Sequence, residues 1–304
     1  MENLTALILS DKRAGHLNQS IAFCKHLNID YFIVNVTLKY KFLTYIFDFL
    51  NIYTFKLFSF ENFKNDFDMV ISTGSNTYYA NKTFAKKYNK KSVACMLPKG
   101  FKTTNFDLIL AQLHDNPKKA NNILKLPINL TYIEPKNIFN CDGFKYVAIV
   151  IGGNNSIFSI NLDELKSNIQ AIIKLFKEYK IAITTSPRTP KEIEDFIESL
   201  DIDYKLIYSK QKLNPIPDFL NCCEYVFITS DSTSMISEAV SFGKANIEII
   251  MLEYKKENKF IKLIKELEKK ECLHLFDGNI GVRNKKIELN FLLKGVFYEL
   301  STKR

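Results

Sequence analysis

None of the six cysteines (Cys24, Cys95, Cys141, Cys222, Cys223, Cys272) forms a C-x-x-C pair, and none has a histidine nearby at metal-ligand spacing. The usual zinc modules are therefore excluded, leaving reduced, mostly buried thiols, no metal and no resident cofactor as the expectation. An unbroken run of about 20 apolar residues, which a membrane-spanning helix requires, is also missing. Met1 to Leu9 passes straight from Glu2 into a strand-like segment, without the basic start and small-residue cleavage site of a signal peptide. The cytosol is the expected compartment. Internal repeats and low-complexity tracts are absent, as are zinc-finger and helix-turn-helix patterns, so no nucleic-acid partner is expected.

What is present fits a two-domain enzyme-sized chain. The 304 residues suggest two domains at about 150 residues each. The 42 basic residues exceed the 33 acidic ones, giving a net charge of +9. That excess favours anionic partners such as nucleotides, phosphorylated glycans or acidic lipid surfaces.

Short apolar runs alternate with helix-period segments along the first half: Leu4 to Leu9, a helix from about Leu17 to Leu27, Tyr31 to Val36, Met69 to Ser72, a helix after Ser75, Ser92 to Leu97, and Leu108 to Ala111. Strands separated by helices predict βαβ units and a parallel sheet. Residues 131 to 145 lack periodicity, and the alternation restarts at Tyr146 to Ile151. There Leu162, Leu165, Ile169, Ile172, Ile173 and Phe176 fall on one helical stripe behind Asn161, a candidate N-cap. Further strands are predicted at Ile181 to Thr184, Leu206 to Tyr208, Val226 to Thr229 and Ile247 to Met251. The fold class is α/β, with two doubly wound Rossmann-like domains over 1–140 and 141–304 facing a ligand cleft, and the last helix free to return to the first domain.

Four strand-end loops carry polar chemistry. Ser10 to Gln19 leaves the first strand and opens a helix; Gly15 would allow close backbone approach, with His16, Asn18 and Gln19 projecting from the first turn. His16 either removes a proton from an acceptor hydroxyl or simply caps and packs a polar loop. In the first half it is the one histidine in a strand-end loop of this composition. Gly152 and Gly153 either expose N–H groups to phosphate oxygens or make a plain strand-ending turn. The fingerprint spacing of a dinucleotide site or a P-loop is not there. Arg188, between Pro187 and Pro190, is either a fixed guanidinium for a phosphate or an exposed arginine before a helix. The richest segment, Thr229 to Ala239, delivers Ser232, Thr233 and Ser234 to a helix N-terminus, where a diphosphate is favoured. Ser234 and Glu238 lie four apart on one face, so the carboxylate can accept from ribose hydroxyls.

Two stretches are read differently. Leu38 to Phe60 is densely aromatic with Lys39, Lys41 and Lys56 interleaved; it either sits on an anionic membrane surface or forms a buried helix. Lysines and glutamates between Lys255 and Lys270 give the solvated face of an amphipathic helix, and Asp201 with Asp203 reads as loop chemistry.

Together, Asp11, Gly15, His16 and Gln19, then Ile151 to Gly153, Thr184 to Pro190, Asn214-Pro215, and Asp231 to Ala239 followed by Gly243-Lys244 resemble the bacterial relatives of the plant "elongated mitochondria" fission proteins. The resemblance implies a GT-B glycosyltransferase-like fold and, from some bacterial members, a role in lipooligosaccharide core assembly. It implies that Gly152, Gly153, Arg188, Ser232, Thr233, Ser234 and Glu238 surround a nucleotide-sugar donor. It also places Asp11, Gly15, Asn18 and Gln19 on the acceptor side, with His16 as catalytic base. The implied enzyme is a metal-independent glycosyltransferase acting on a glycan or glycolipid acceptor at the inner face of the cell membrane. A non-catalytic nucleotide-sugar-binding scaffold and a sugar-nucleotide epimerase are the alternatives. The sequence departs from the commoner pattern at Lys12-Arg13-Ala14, where a Gly-Lys/Arg-Pro run is frequent, and at Asn154-Asn155, where Pro-Ser is frequent.

Overall fold

The computed structural model describes residues 4–63 and 65–302. The chain divides into two compact units, one formed by the chain up to Tyr132 with the stretch from Glu288 onward, the other by Ile133–Ile287.

The first unit contains β1 (Thr5–Ser10), α1 (Ala14–Leu27), β2 (Asp30–Leu38), α2 (Lys41–Phe49), β3 (Phe58–Phe60), β4 (Met69–Ser72), α3 (Tyr78–Tyr88), β5 (Lys91–Ala94), β6 (Leu108–Gln112) and β7 (Ile123–Leu126). Its sheet runs in the order β3-β2-β1-β4-β5-β6-β7. Every pairing is parallel except β2 with the edge strand β3. The central strands carry apolar side chains on both faces: Leu7, Ile8, Leu9, Val70 and Ile71 are all buried, as expected where helices cover both sides of a parallel sheet. From β1 the chain moves outward through β2, then returns to β4 on the opposite side. The reversal leaves a crevice beyond the carboxyl ends of β1 and β4.

The second unit contains β8 (Tyr146–Ile151), β9 (Phe158–Ser159), α4 (Leu162–Leu175), β10 (Lys180–Thr185), α5 (Lys191–Ser199), β11 (Tyr204–Leu206), α6 (Ile216–Cys222), β12 (Tyr225–Thr229), α7 (Thr233–Ser241), β13 (Asn246–Ile250), β14 (Glu253–Tyr254), α8 (Lys259–Lys269) and β15 (His274–Leu275). Its main sheet is parallel, in the order β11-β10-β8-β12-β13-β15, and reverses between β8 and β12. β9 and β14 pair separately as a short antiparallel ribbon. The stripe expected on α4 is buried through Leu165, Ile169 and Ile172, and Asn161 caps the helix by accepting from the N–H groups of Asp163 and Glu164. α8 begins at its own asparagine cap, Asn258. The final helix α9 (Leu289–Thr302) packs on α1 within the first unit, with Leu289 and Leu293 buried. Among the described residues, no helix is long and apolar enough to cross a membrane.

The boundary at Tyr132/Ile133, rather than at 140/141, has a local cause. The buried Asp218 of α6 accepts four consecutive backbone N–H groups: Lys136 at 2.6 Å, Asn137 at 3.1 Å, Ile138 at 2.8 Å and Phe139 at 3.3 Å. Phe139 packs edge-on against Tyr146, Tyr204 and Phe219, which ties the segment into the second unit. The same docking brings Cys141 to Cys222, 81 residues away, and the two form a disulfide where reduced cysteines were expected. The sulfur of Cys223 lies within 4.8 Å of both, a cluster that no sequence spacing announces.

Asp218→Asn preserves the shape but removes the charge and one acceptor from this clasp. Chemical denaturation of that variant is expected to show a loss of about 1.5 to 3 kcal/mol. A loss below about 0.5 kcal/mol, the range of neutral surface changes, would mean the clasp does not hold the segment.

Candidate functional site

Three loops leave adjacent strands at the reversal of the second unit, and one carboxylate joins them. Asp231 follows β12 and its side chain is fully shielded from solvent. Its Oδ2 accepts from the Gly153 N–H at 3.0 Å, after β8, and from Arg188 Nη2 at 2.7 Å, after β10. Its Oδ1 accepts from the Thr229 hydroxyl at 2.7 Å, while that hydroxyl accepts from the Gly152 N–H at 2.7 Å. Asn155 Nδ2 donates to the Asp231 carbonyl at 3.0 Å. The Thr189 hydroxyl completes the link by donating to the Gly152 carbonyl at 2.6 Å and accepting from the Ser186 N–H at 2.8 Å. Burial pushes the Asp231 carboxyl above the usual carboxylate range; the Gly153 N–H, the Thr229 hydroxyl and the Arg188 guanidinium pull against it.

This network corrects the expectation for the glycine turn. Both N–H groups are already engaged by Thr229 and Asp231, so they are not open to a phosphate. The glycines are required for close approach: a Cβ on Gly152 would overlap the Asp231 carboxylate, and one on Gly153 would overlap the Arg188 main chain. Nor is Arg188 an isolated exposed arginine. It is anchored by Asp231 and remains 44% exposed, so part of its donor fork still faces solvent. Asn154 and Asn155, at the unusual Asn-Asn step, shape the following loop by accepting from Ile160, Ile157 and Phe158 N–H groups.

α7 starts directly after Asp231. Ser232 is its N-cap, accepting from the Met235 N–H at 3.4 Å, so this hydroxyl serves the helix first. Thr233 opens the helix, Ser234 is exposed, and Glu238 lies one turn on, half-buried. Burial raises the Glu238 carboxyl to about 7, and the Lys136 ammonium pulls it back toward ionisation. Lys136 is delivered by the segment that Asp218 holds, and no periodicity in the sequence pointed to it.

At the reversal of the first unit the loop after β1 places Asp11 and His16 together. His16 Nδ1 is 3.1 Å from each Asp11 carboxylate oxygen. Asn76 Nδ2 supports Asp11 at 3.2 Å and the Arg13 N–H does so at 3.3 Å. Asp11 is nearly buried while His16 keeps about a quarter of its side chain exposed. The expectation that Gly15 makes the room is overturned, because nothing lies within 4 Å of where its Cβ would be. Gly74, at φ +93°, is the glycine against which the imidazole packs, and a Cβ there would overlap the ring. Lys12 adopts φ +65°, in the left-handed region that favours glycine.

Gln19, three residues after His16, shares its helix face and accepts from Gln112 Nε2 at 3.2 Å. Asn18 is exposed and, two residues from His16, lies on another side of α1, so the structure does not gather it with the others. His114 also sits at a strand end, in the short 3-10 turn Leu113–Asp115 directly after β6, so His16 is not alone there in this unit. No side chain caps α1, which removes capping as the role of His16.

The family model described as "Mitochondrial fission ELM1" matches residues 14–291. An uncharacterized protein of Rickettsia prowazekii (strain Madrid E) is 26% identical over 290 residues, covering 78% of this chain and 80% of the relative. An S. aureus MnaA–UDP co-structure superposes with a TM-score of 0.51 at 13% identity, covering 98% of this chain and 96% of that one. A Listeria monocytogenes protein described as a UDP-N-acetylglucosamine 2-epimerase gives 0.50 at 10% identity, covering 100% and 89%. At these identities the likeness is one of fold, the GT-B type.

The Glu238 shift has a sign that stability can read. The folded state holds this proton up to about 7, against 4.5 for the solvent-exposed carboxyl of an unfolded chain, so the folded state binds more protons between those values. The contribution is fully present below the lower value and is lost as pH rises through about 7. Melting midpoints of the wild type minus those of Glu238→Gln are expected to fall across that window. Parallel profiles would place Glu238 in contact with solvent.

Proposed function

The chain belongs to the mitochondrial fission ELM1 family, and from the two sites above we propose that it is a metal-independent glycosyltransferase. It moves a sugar from a nucleotide-sugar to a hydroxyl of a membrane-associated glycan, with a lipooligosaccharide core as the acceptor that the resemblance suggests. The observation that carries the reading is the His16–Asp11 pair. With Nδ1–H donated to the carboxylate, Nε2 is left as the proton acceptor, and Asp11 stabilises the imidazolium that forms.

In this reading the acceptor hydroxyl gives its proton to His16 Nε2 as its oxygen bonds to the anomeric carbon. The bond from that carbon to the nucleoside diphosphate breaks, and the diphosphate leaves with the electron pair. The free part of the Arg188 fork, Lys136 and the N–H groups at the start of α7 meet its charge, so no cation is needed. Glu238 accepts from ribose hydroxyls, helped by Ser234 on the same face. The first unit activates the acceptor and the second binds the donor. UDP-linked donors are the first to try, since the S. aureus structure was obtained with UDP.

His16→Ala is expected to lower turnover by about 10²- to 10⁴-fold while leaving donor affinity unchanged. A folded variant within about threefold of wild type would remove His16 as the base. Product analysis separates the alternatives: transfer needs donor and acceptor, epimerisation proceeds with donor alone, and a scaffold turns over neither.

A further inference from the structure

Helix α2 is folded with its polarity inverted. Thr44 and Asp48, one turn apart, point inward and are buried. Asp48 is held there by Lys82 Nζ at 2.6 Å, the Lys102 N–H at 2.8 Å and the Tyr53 hydroxyl at 3.0 Å, and Lys82 is itself buried over the Phe106 ring. An ion pair so far from water fixes the helix face that must point inward, because rotating it out would strand the Lys82 charge. The opposite face carries a set of apolar residues into solvent, while Tyr45 and Phe47 pack against the core. Phe42, Ile46 and Phe49 follow at i, i+4 and i+7, flanked by Leu43 and Leu50; Phe42 is 74% exposed and Phe49 68%. The aromatic stretch is thus divided: Phe42, Ile46 and Phe49 face solvent, while Tyr45, Phe47, Tyr53, Phe55, Phe58 and Phe60 pack in the core of the first unit.

Exposed apolar side chains on this scale mark an interaction surface. From Leu38 to Phe60 the one acidic residue is Asp48, and it is neutralised internally, so the exposed charges of the stretch are Lys39, Lys41 and Lys56. Lys102 adds a further ammonium 5.0 Å from the Phe49 ring. Protruding aromatic and aliphatic side chains with cations around them complement an anionic bilayer, where the rings enter the interface and the lysines meet headgroup phosphates.

We propose that the outer face of α2 docks the protein on an anionic phospholipid surface through Phe42, Ile46, Phe49 and Leu50. The docking deepens the reading of a membrane-borne acceptor and draws its purpose from it. It is measured without nucleotide or acceptor, so its failure and the failure of glycosyl transfer are distinguishable.

The test is co-sedimentation of the full chain with vesicles of phosphatidylcholine alone and of phosphatidylcholine with phosphatidylglycerol, with sedimentation velocity alongside. Wild type is expected to bind the anionic vesicles and to be released by salt. Phe42→Ser/Phe49→Ser, at exposed positions that leave the Asp48–Lys82 pair intact, is expected to lower the partition coefficient at least about tenfold. Lys39→Glu/Lys41→Glu is expected to lower it on anionic vesicles only. Absence of wild-type binding at low salt, or equal binding by the double serine variant, would overturn the proposal. So would a wild-type dimer that the serine variant dissolves while vesicle binding is absent, because the face would then belong to a second copy.

Discussion

A charge taken out of water must be paired on every side, and the Asp231 carboxylate imposes that requirement on the second unit. Its partners come from three loops that are far apart in sequence: the turn after β8, the Arg188 loop after β10 and the end of β12. Leaving any one of them unpaired would cost the desolvation that the set of donors offsets. The loops are thus held as one body. Gly152 and Gly153 follow from this constraint, since the carboxylate and the Arg188 main chain occupy the space that side chains would need. So does the start of α7, whose N-cap Ser232 directly follows the carboxylate.

The first unit solves a similar problem with a different group. There the nearly buried Asp11 carboxylate is met by His16, Asn76 and the Arg13 N–H, and the imidazole is seated against Gly74. Both constellations occupy the reversal point of a doubly wound sheet, β1/β4 in one unit and β8/β12 in the other. At such points two strand-end loops diverge and leave a crevice that neither adjacent helix fills. The fold supplies the place twice, with an Asp11–His16 pair at one and an Asp231–Arg188 pair at the other.

The alternation of apolar runs with helical segments was enough to read two parallel sheets, because strands covered on both faces are nearly all apolar. Short edge elements were not legible: β3, β7, β9, β14 and β15 have two to four residues each and carry little periodicity. Proximity was legible where a motif is local, as with His16 and Asp11 in the loop after β1 or Ser234 and Glu238 one turn apart on α7. What escaped was long-range pairing. The Gly153–Asp231 contact spans 78 residues and Asp48–Lys82 spans 34, and nothing in either segment names its partner. Hence the sequence alone leaves the Gly152-Gly153 turn open between phosphate contact and a plain strand end, points to Gly15 where Gly74 makes the room, and leaves α2 open between burial and exposure.

The central claim is that the Asp231-organised loops and the start of α7 form a seat for a nucleoside diphosphate. Thermal unfolding of the intact chain against a panel of nucleoside diphosphates, UDP first, tests it most directly. At least one is expected to raise the melting midpoint, by the equivalent of about 2.7 kcal/mol at 100 times its dissociation constant, while the matching nucleoside without phosphates leaves it unchanged. If no member of the panel moved the midpoint at millimolar concentration, the second unit would not be a donor site.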